Sequence, residues 1–202
     1  MGIEGGASPN VVHHEGRLTR EQRKAAFGFT GATVLFTGLS ASGKSTIASG
    51  VEESLVRRRR PAFLLDGDNL RHGLSGDLGF SEADRQENVR RAGHVAAMFA
   101  QSGTVALLAL ISPYAADRQF IRTLHEADGL PFFEVFLNTP IEVCEQRDPK
   151  GLYAKARAGQ LSGFTGIDSD YEPPDQADLV LHPAAGTINE QVDRVVALLE
   201  SP

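Results

Sequence analysis

Five stretches of the chain are apolar at most or all positions: 32–37, 62–65, 104–111, 132–137 and 177–181. A strand with one face in water alternates apolar and polar residues, so runs without alternation predict strands covered on both faces, as in a parallel sheet. The segments between them carry a different rhythm. Ile47, Val51, Leu55 and Val56 recur at helical spacing, and the stretch stops at Arg57-Arg-Arg-Arg60 before Pro61. Cations are favoured at a helix C-terminus, so these arginines read as a solvated helix end. Ser81-Glu-Ala-Asp84 has the form of a capping box opening a helix to about Ser102, and further helices are predicted over 114–127 and 187–199. Thr19, with Gln22 three residues later, opens a short polar helix before the first strand. Strand and helix alternate, which predicts an α/β protein of three layers, a five-stranded parallel sheet with helices on both faces.

Composition narrows the setting. A chain of 202 residues with 41% hydrophobic content can bury one core without disulfides or structural metal. Residues 1–17 show no periodicity and read as a flexible tail, leaving 18–202 as a single domain. The net charge of -6 speaks against coating nucleic acid, and the longest purely apolar run, 105–111, is far short of the roughly 20 residues that span a bilayer. Neither nucleic acid nor membrane is an expected partner. The single cysteine, Cys144, excludes an intramolecular disulfide, and no basic-apolar-small leader pattern opens the chain, so a cytosolic setting is predicted.

The first apolar run breaks directly into Gly38, Leu39, Ser40, Ala41, Ser42, Gly43, Lys44, Ser45 and Thr46, the G-x-x-x-x-G-K-S pattern of a P-loop. Its glycines let the backbone wrap a phosphate, and the following helix contributes the positive end of its dipole. Lys44 is placed to reach the β/γ-phosphates and the Ser45 hydroxyl to ligate Mg²⁺, so ATP and Mg²⁺ are the predicted cofactors and the fold is of the P-loop NTPase type.

A switch or motor ATPase places an Asp for Mg²⁺ at the end of an apolar strand, yet the third run ends Ala109-Leu-Ile-Ser112. The carboxylates instead follow the second run, as Asp66 and Asp68. Ligands of such sheets sit at the carboxyl ends of the strands, where Gly38, Asp66, Asp68 and Ser112 all fall. Phosphoryl transfer needs positioning, charge neutralisation and a group that orients the attacking hydroxyl, a role that suits Asp68. The segment 142–174 breaks the rhythm with a polar, Lys- and Arg-bearing insert, read as a lid closing over phosphates.

The motifs Asp66-Gly-Asp-Asn-Leu-Arg71-His-Gly-Leu74, Asp77-Leu-Gly-Phe80-Ser, Asp84-Arg-Gln-Glu-Asn88-Val-Arg-Arg91, Ile111-Ser-Pro-Tyr114, Arg147-Asp-Pro-Lys-Gly-Leu-Tyr153, Phe164-Thr-Gly-Ile-Asp168 and Tyr171-Glu-Pro173 closely resemble those of adenylylsulfate kinases. The resemblance runs from about Leu18 to the C-terminus and implies transfer of the ATP γ-phosphate to the 3′-hydroxyl of adenosine 5′-phosphosulfate, in sulfate activation. It implies that Asp68 orients and deprotonates that hydroxyl, and that Arg71, Arg85 and Asn88 bind the phosphosulfate and ribose, with Asp66 nearby. Phe80 and Phe164 would sandwich the substrate adenine. Ile111, Ser112, Lys150, Leu152 and Gly163 would contact the substrate, while Arg147 would face the donor nucleotide. A homodimer is the expected assembly.

Bacterial members of this family are often described with a phosphoserine at the Ser112 position, but Leu110-Ile-Ser-Pro-Tyr114 offers no adjacent base, which favours direct transfer. Two departures stand out. Ala41 replaces a common glycine, and His94 occupies a position where an acidic residue is common. Another small-molecule P-loop kinase, or a catalytically silent nucleotide-binding module, remains open as an alternative.

Overall fold

A computed structural model describes residues 16–200 together with Val12 and His14, so the tail expected over 1–17 lies almost wholly outside the described residues. The chain runs α1 (Arg20–Phe27), β1 (Ala32–Thr37), α2 (Lys44–Arg57), β2 (Ala62–Asp66), α3 (Gly67–His72), α4 (Glu82–Ser102), β3 (Val105–Ala109), α5 (Ala115–Ala127), β4 (Phe132–Leu137), α6 (Ile141–Arg147), α7 (Leu152–Arg157), β5 (Leu179–Leu181) and α8 (Ile188–Glu200). The strands form one five-stranded sheet in the order β2-β3-β1-β4-β5, and every neighbouring pair is parallel. The predicted fold class stands.

The unbroken hydrophobicity of the strands is explained by what covers them. Val34 and Phe36 of β1 pack with Ile47, Val51 and Leu55 of α2 and with Val195 of α8. Leu35, one residue out of phase, packs on the other face with Val89 and Ala96 of α4 and Ile121 of α5. Each such Leu, Ile, Val or Phe contributes roughly 1.5 to 3 kcal/mol on burial, so both helical layers are needed to hold the sheet. The Thr19–Gln22 capping box is present, and Ser81 caps α4 through the Asp84 amide.

Several details depart from the pattern-based reading. β2 is an edge strand in which only Leu65 is buried, and Phe63 is 49% exposed, its ring stacked 5.2 Å from Phe99. Val56 likewise faces outward. β3 ends at Ala109 rather than Ile111, because the chain turns sharply at Ser112, whose φ is +44°. β5 is only three residues long, since Asp178 turns its carboxylate to the Glu134 amide and to Arg122. Arg57 and Arg58 form exposed ion pairs with Glu53 and Glu200, but Arg60 is half-buried and donates to the Leu199 carbonyl at the end of α8. The helix α3, which opens inside Asp-Gly-Asp, has no apolar periodicity that would reveal it. The segment read as a lid is no loose loop: Cys144, Tyr153 and Phe164 form a small core of their own with Leu39, Ile141 and Leu152.

His125 joins the layers. It is 0% exposed, with Nδ1 2.8 Å from the Ile121 carbonyl and Nε2 2.8 Å from Thr33 Oγ1 of β1. A neutral ring donates from Nδ1 to the carbonyl and accepts the Thr33 proton at Nε2. Burial holds its pKa below the ordinary value, so the folded protein binds fewer protons than the unfolded chain and stability falls as pH drops through about 6.5. We expect urea denaturation to show a loss of stability between pH 7.5 and 5.5 that is smaller in His125→Gln. One linked proton limits that difference to about 1.4 kcal/mol per pH unit.

Candidate active site

Parallel order brings the carboxyl ends of β1, β2 and β3 together, and they open into a cavity of about 1150 Å³. Pockets for a single drug-sized ligand measure roughly 300 to 1,000 Å³, and this volume exceeds that range. One wall is the P-loop, through Ser40, Ala41, Gly43, Lys44, Ser45 and Thr46. The other carries Asp66, Asp68, Arg71, Phe80, Arg85, Asn88, Ile111 and Ser112. The lid contributes Arg147, Lys150, Leu152, Gly163 and Phe164. Of the residues singled out from sequence, Gly38, Leu39 and Ser42 stand behind this surface. A Cβ on Gly38 would come within 2.8 Å of the Leu137 carbonyl oxygen, and Leu39 packs into the lid core.

The P-loop leads into α2 with Gly43 as a cap that offers no side-chain acceptor, so the first-turn amides of the helix have no side-chain cap and are available to an anion. Ala41 has a φ of +58°, the left-handed region where glycine costs least, which gives a physical reason why glycine is common there in the family it resembles. The Lys44 ammonium is buried and donates to the carbonyls of Gly38 and Leu39, at 3.0 and 2.7 Å. Burial pulls its pKa down to about 8, against the opposing pull of Asp66 and Asp68. Ser45 Oγ donates to Asp66 Oδ2 at 2.6 Å. These two oxygens, one hydroxyl and one carboxylate, are the donor types a hard divalent cation takes. Asp66 therefore belongs beside Ser45 rather than beside the acceptor alone, and its Oδ1 also accepts the Asp68 amide, which fixes the first turn of α3.

On the wall opposite the P-loop the charges are already engaged. The Asp68 carboxylate, exposed to the cavity, pairs with Lys150 reaching down from the lid. Arg71 donates to the Gly79 carbonyl at 2.6 Å and lies 4.4 Å over the Phe80 ring. Arg85 donates to the Phe80 carbonyl at 2.9 Å, to Thr165 Oγ1 at 2.5 Å and to the Gly163 carbonyl, and so ties α4 to the lid. Phe80 is 70% exposed, whereas Phe164 is buried edge-on against Tyr153, with ring centroids 4.9 Å apart. Arg147 leans over the P-loop, 3.4 Å from the Ala41 carbonyl.

Two buried polar atoms on this wall have no partner among the described residues: Asn88 Oδ1 and Ser112 Oγ. An orphaned buried group costs about 1 to 3 kcal/mol, so a ligand is the natural partner for both. Ser112 Oγ meets no base, which agrees with the absence of one in the neighbouring sequence. Arg118, Thr165 and Tyr171 are not among the site residues the sequence points to; each makes a bond to a position 54 to 134 residues away, which no local spacing signals.

The adenylylsulphate kinase family model matches residues 30–182. The chain belongs to that family. Among curated adenylylsulfate kinase relatives, one from Marinobacter nauticus is 49% identical over 191 residues, covering 95% of both chains. The bifunctional enzyme CysN/CysC of Mycobacterium tuberculosis is 53% identical over 194 residues, 96% of this chain, and the chain spans only 31% of that protein. A solved structure of the M. tuberculosis APS kinase CysC in complex with AMPPNP and APS aligns with a TM-score of 0.83 at 55% identity, covering 85% of this chain and 99% of that one. Among the described residues, no helix of this chain is long and apolar enough to cross a membrane.

The Arg85 contacts make the lid of this adenylylsulfate kinase family member a latched element. Arg85→Ala should speed amide exchange over 160–168 in the ligand-free protein, read by mass spectrometry, while the P-loop helix exchanges as before. Arg85 is only half-buried, so the melting temperature should shift by the equivalent of about 1 kcal/mol or less.

Proposed function

We propose that this chain transfers the γ-phosphate of ATP to the 3′-hydroxyl of adenosine 5′-phosphosulfate, giving ADP and 3′-phosphoadenylyl sulfate for sulfate assimilation. The observation that carries this reading is one cavity with a phosphate-binding loop on one wall and, facing it, a carboxylate and two unpaired buried polar groups. Near-full-length relatives named adenylyl-sulfate kinase, and a relative solved with AMPPNP and APS, support it.

In this reading Lys44 leaves the Gly38 and Leu39 carbonyls for the β/γ-phosphates. That exchange replaces neutral acceptors with charged ones, so the bonds gained are stronger than those lost. Ser45 and Asp66 are the residues that would hold Mg²⁺, whose contribution when bound is to neutralise phosphate charge. The acceptor's phosphosulfate draws Lys150 away from Asp68, and the freed carboxylate takes the 3′-hydroxyl proton as the oxygen bonds to the γ-phosphorus and the bond from that phosphorus to the bridging oxygen breaks. Phe80 and Phe164 flank the acceptor adenine, Arg71 and Asn88 its ribose and phosphosulfate, with Ile111, Ser112, Leu152 and Gly163 completing the wall. Arg147 faces the donor base. Ser112 acts as a substrate contact, because a nucleophile needs a base that its hydroxyl does not meet. A homodimer and a cytosolic setting complete the proposal; light scattering checks the first.

Release of ADP measured with adenosine phosphosulfate, shikimate, gluconate or no acceptor tests the reading. Turnover with the phosphosulfate alone is the expected result; preference for another acceptor would replace the assignment, and no turnover with any would point to a silent nucleotide-binding module. Lys44→Ala should abolish turnover without unfolding, since its ammonium bonds only carbonyls of its own loop.

Asp68→Asn should slow the reaction roughly 10²-fold or more with little change in binding of either ligand. Ser112→Ala should keep substantial turnover and carry no label from γ-labelled ATP. Stoichiometric label on Ser112 in the wild type, with loss of turnover in that variant, would move the catalytic role from Asp68 to Ser112.

A further inference from the structure

Arg118 is the most deeply buried arginine that the proposed chemistry leaves unused. It is 3% exposed, and each arm of its guanidinium is assigned: Nε donates to Glu134 Oε1 at 2.7 Å, Nη1 to the Ser112 carbonyl at 2.8 Å and Nη2 to the Glu172 carbonyl at 2.7 Å. Those partners come from three places: the middle of the sheet, the floor of the acceptor half of the cavity, and the point where the lid chain returns to the body. Two further sets of bonds tie the return segment to the floor. Tyr171 donates to Thr37 Oγ1 at 2.9 Å, and Thr37 in turn donates to the Ile111 carbonyl at 2.6 Å. Glu172 accepts the Ala115 amide at 2.6 Å through Oε2 and donates its own amide to the Pro113 carbonyl at 2.9 Å.

At the centre of this network Ser112 holds a φ of +44°, a strained conformation for a side-chain-bearing residue that persists only where its surroundings over-determine it. The Arg118 fork on its carbonyl does so, and the same conformation places the unpaired Ser112 hydroxyl on the cavity wall. A planar fork anchored by a buried carboxylate holds two carbonyls in fixed relation, which a lysine head cannot do.

We infer that Arg118 is a positioning residue for the acceptor nucleotide: it bolts the lid's return segment, 171–172, to the 111–112 floor, so that lid motion is confined to the chain before Tyr171 while the floor keeps its shape. The inference rests on the adenylylsulfate kinase reading for its choice of ligand, and the geometry of the bolt does not. Of the donor half only Thr37, the residue before Gly38, touches the network, through Tyr171, and the Arg118 fork itself reaches none of the P-loop, so its loss should be felt far more by one substrate than by the other.

Arg118→Lys keeps a charge beside Glu134 but loses the fork. It should raise KM for adenosine phosphosulfate roughly 10-fold or more while KM for ATP stays within about twofold, and Tyr171→Phe, which deletes one hydroxyl, should shift the same constant in the same direction by less. Because Arg118→Lys could fail to fold, a double variant Arg118→Met with Glu134→Leu removes both buried charges together, a replacement that well-packed cores accept. It too should show the acceptor-selective rise. In the ligand-free proteins, amide exchange over 110–115 and 171–174 should quicken in every variant, with the P-loop unchanged.

KM values for both substrates moving together, or a double variant with wild-type acceptor KM and wild-type exchange, would overturn the inference. A wild type that never turns over adenosine phosphosulfate defeats the functional reading instead, and the exchange measurement then decides the bolt on its own.

Discussion

A strand buried on both faces and paired on both edges has no room for chemistry along its length. All six residues of β1 are buried, with β3 on one side and β4 on the other, so the polar work of the molecule is driven to its carboxyl end. The rest follows from that constraint. The turn that leaves β1 has to become the phosphate loop, the flanking strand ends have to supply Asp66 and Ser112, and the segment after β4 has to fold over the opening. The two helical layers keep water from the sheet and, at the ends nearest the opening, add Lys44 and Ser45 from α2 and Arg85 and Asn88 from α4 to the cavity wall.

In the absence of ligand the site satisfies its charges internally, with interactions of two grades. The Asp68–Lys150 pair and the Arg85 latch involve half-exposed or exposed groups, a class whose pairs contribute about 0 to 1 kcal/mol, so in the proposed reaction a polyanionic substrate would displace them readily. The Arg118–Glu134 pair is buried, and separating one partner from a pair of that kind costs on the order of 3 to 5 kcal/mol. Burial thus sorts the same chemistry, cation on anion, into contacts that yield to substrate and contacts that keep the framework in place. Lys44 sits between the grades: it is buried, but its partners are carbonyls, and phosphate is a better partner than either.

The lid follows the same division. Its middle is held by a small apolar core and by Arg85, its far end by Arg118 and Tyr171. Leu39 of the P-loop and Phe164 of the lid share one cluster, so the two walls of the cavity pack on common residues. The two halves of the cavity are joined by packing here and by the Ser45–Asp66 hydrogen bond at the base.

How much of this was legible beforehand depends on the range of each interaction. Unbroken apolar runs, the helical spacing of Ile47, Val51 and Leu55, the Thr19 capping box and the G-x-x-x-x-G-K-S turn are all written within a few residues, and each determined its element and hence the layered parallel fold. The site candidates that fell at strand ends were legible for the same reason, because parallel topology gathers those ends. What the tertiary structure alone decided lies at longer range. The exposure of Phe63 depends on β2 being an edge, which strand order sets. The pairing of Ser45 with Asp66 spans 21 residues, that of Asp68 with Lys150 spans 82 and that of Arg118 with Glu172 spans 54. α3 and the lid helices are held by packing and capping rather than by periodicity. Local pattern specifies which segments must be buried; only their packing specifies which of the cavity's polar groups meet, because these contacts join residues that the chain itself keeps far apart.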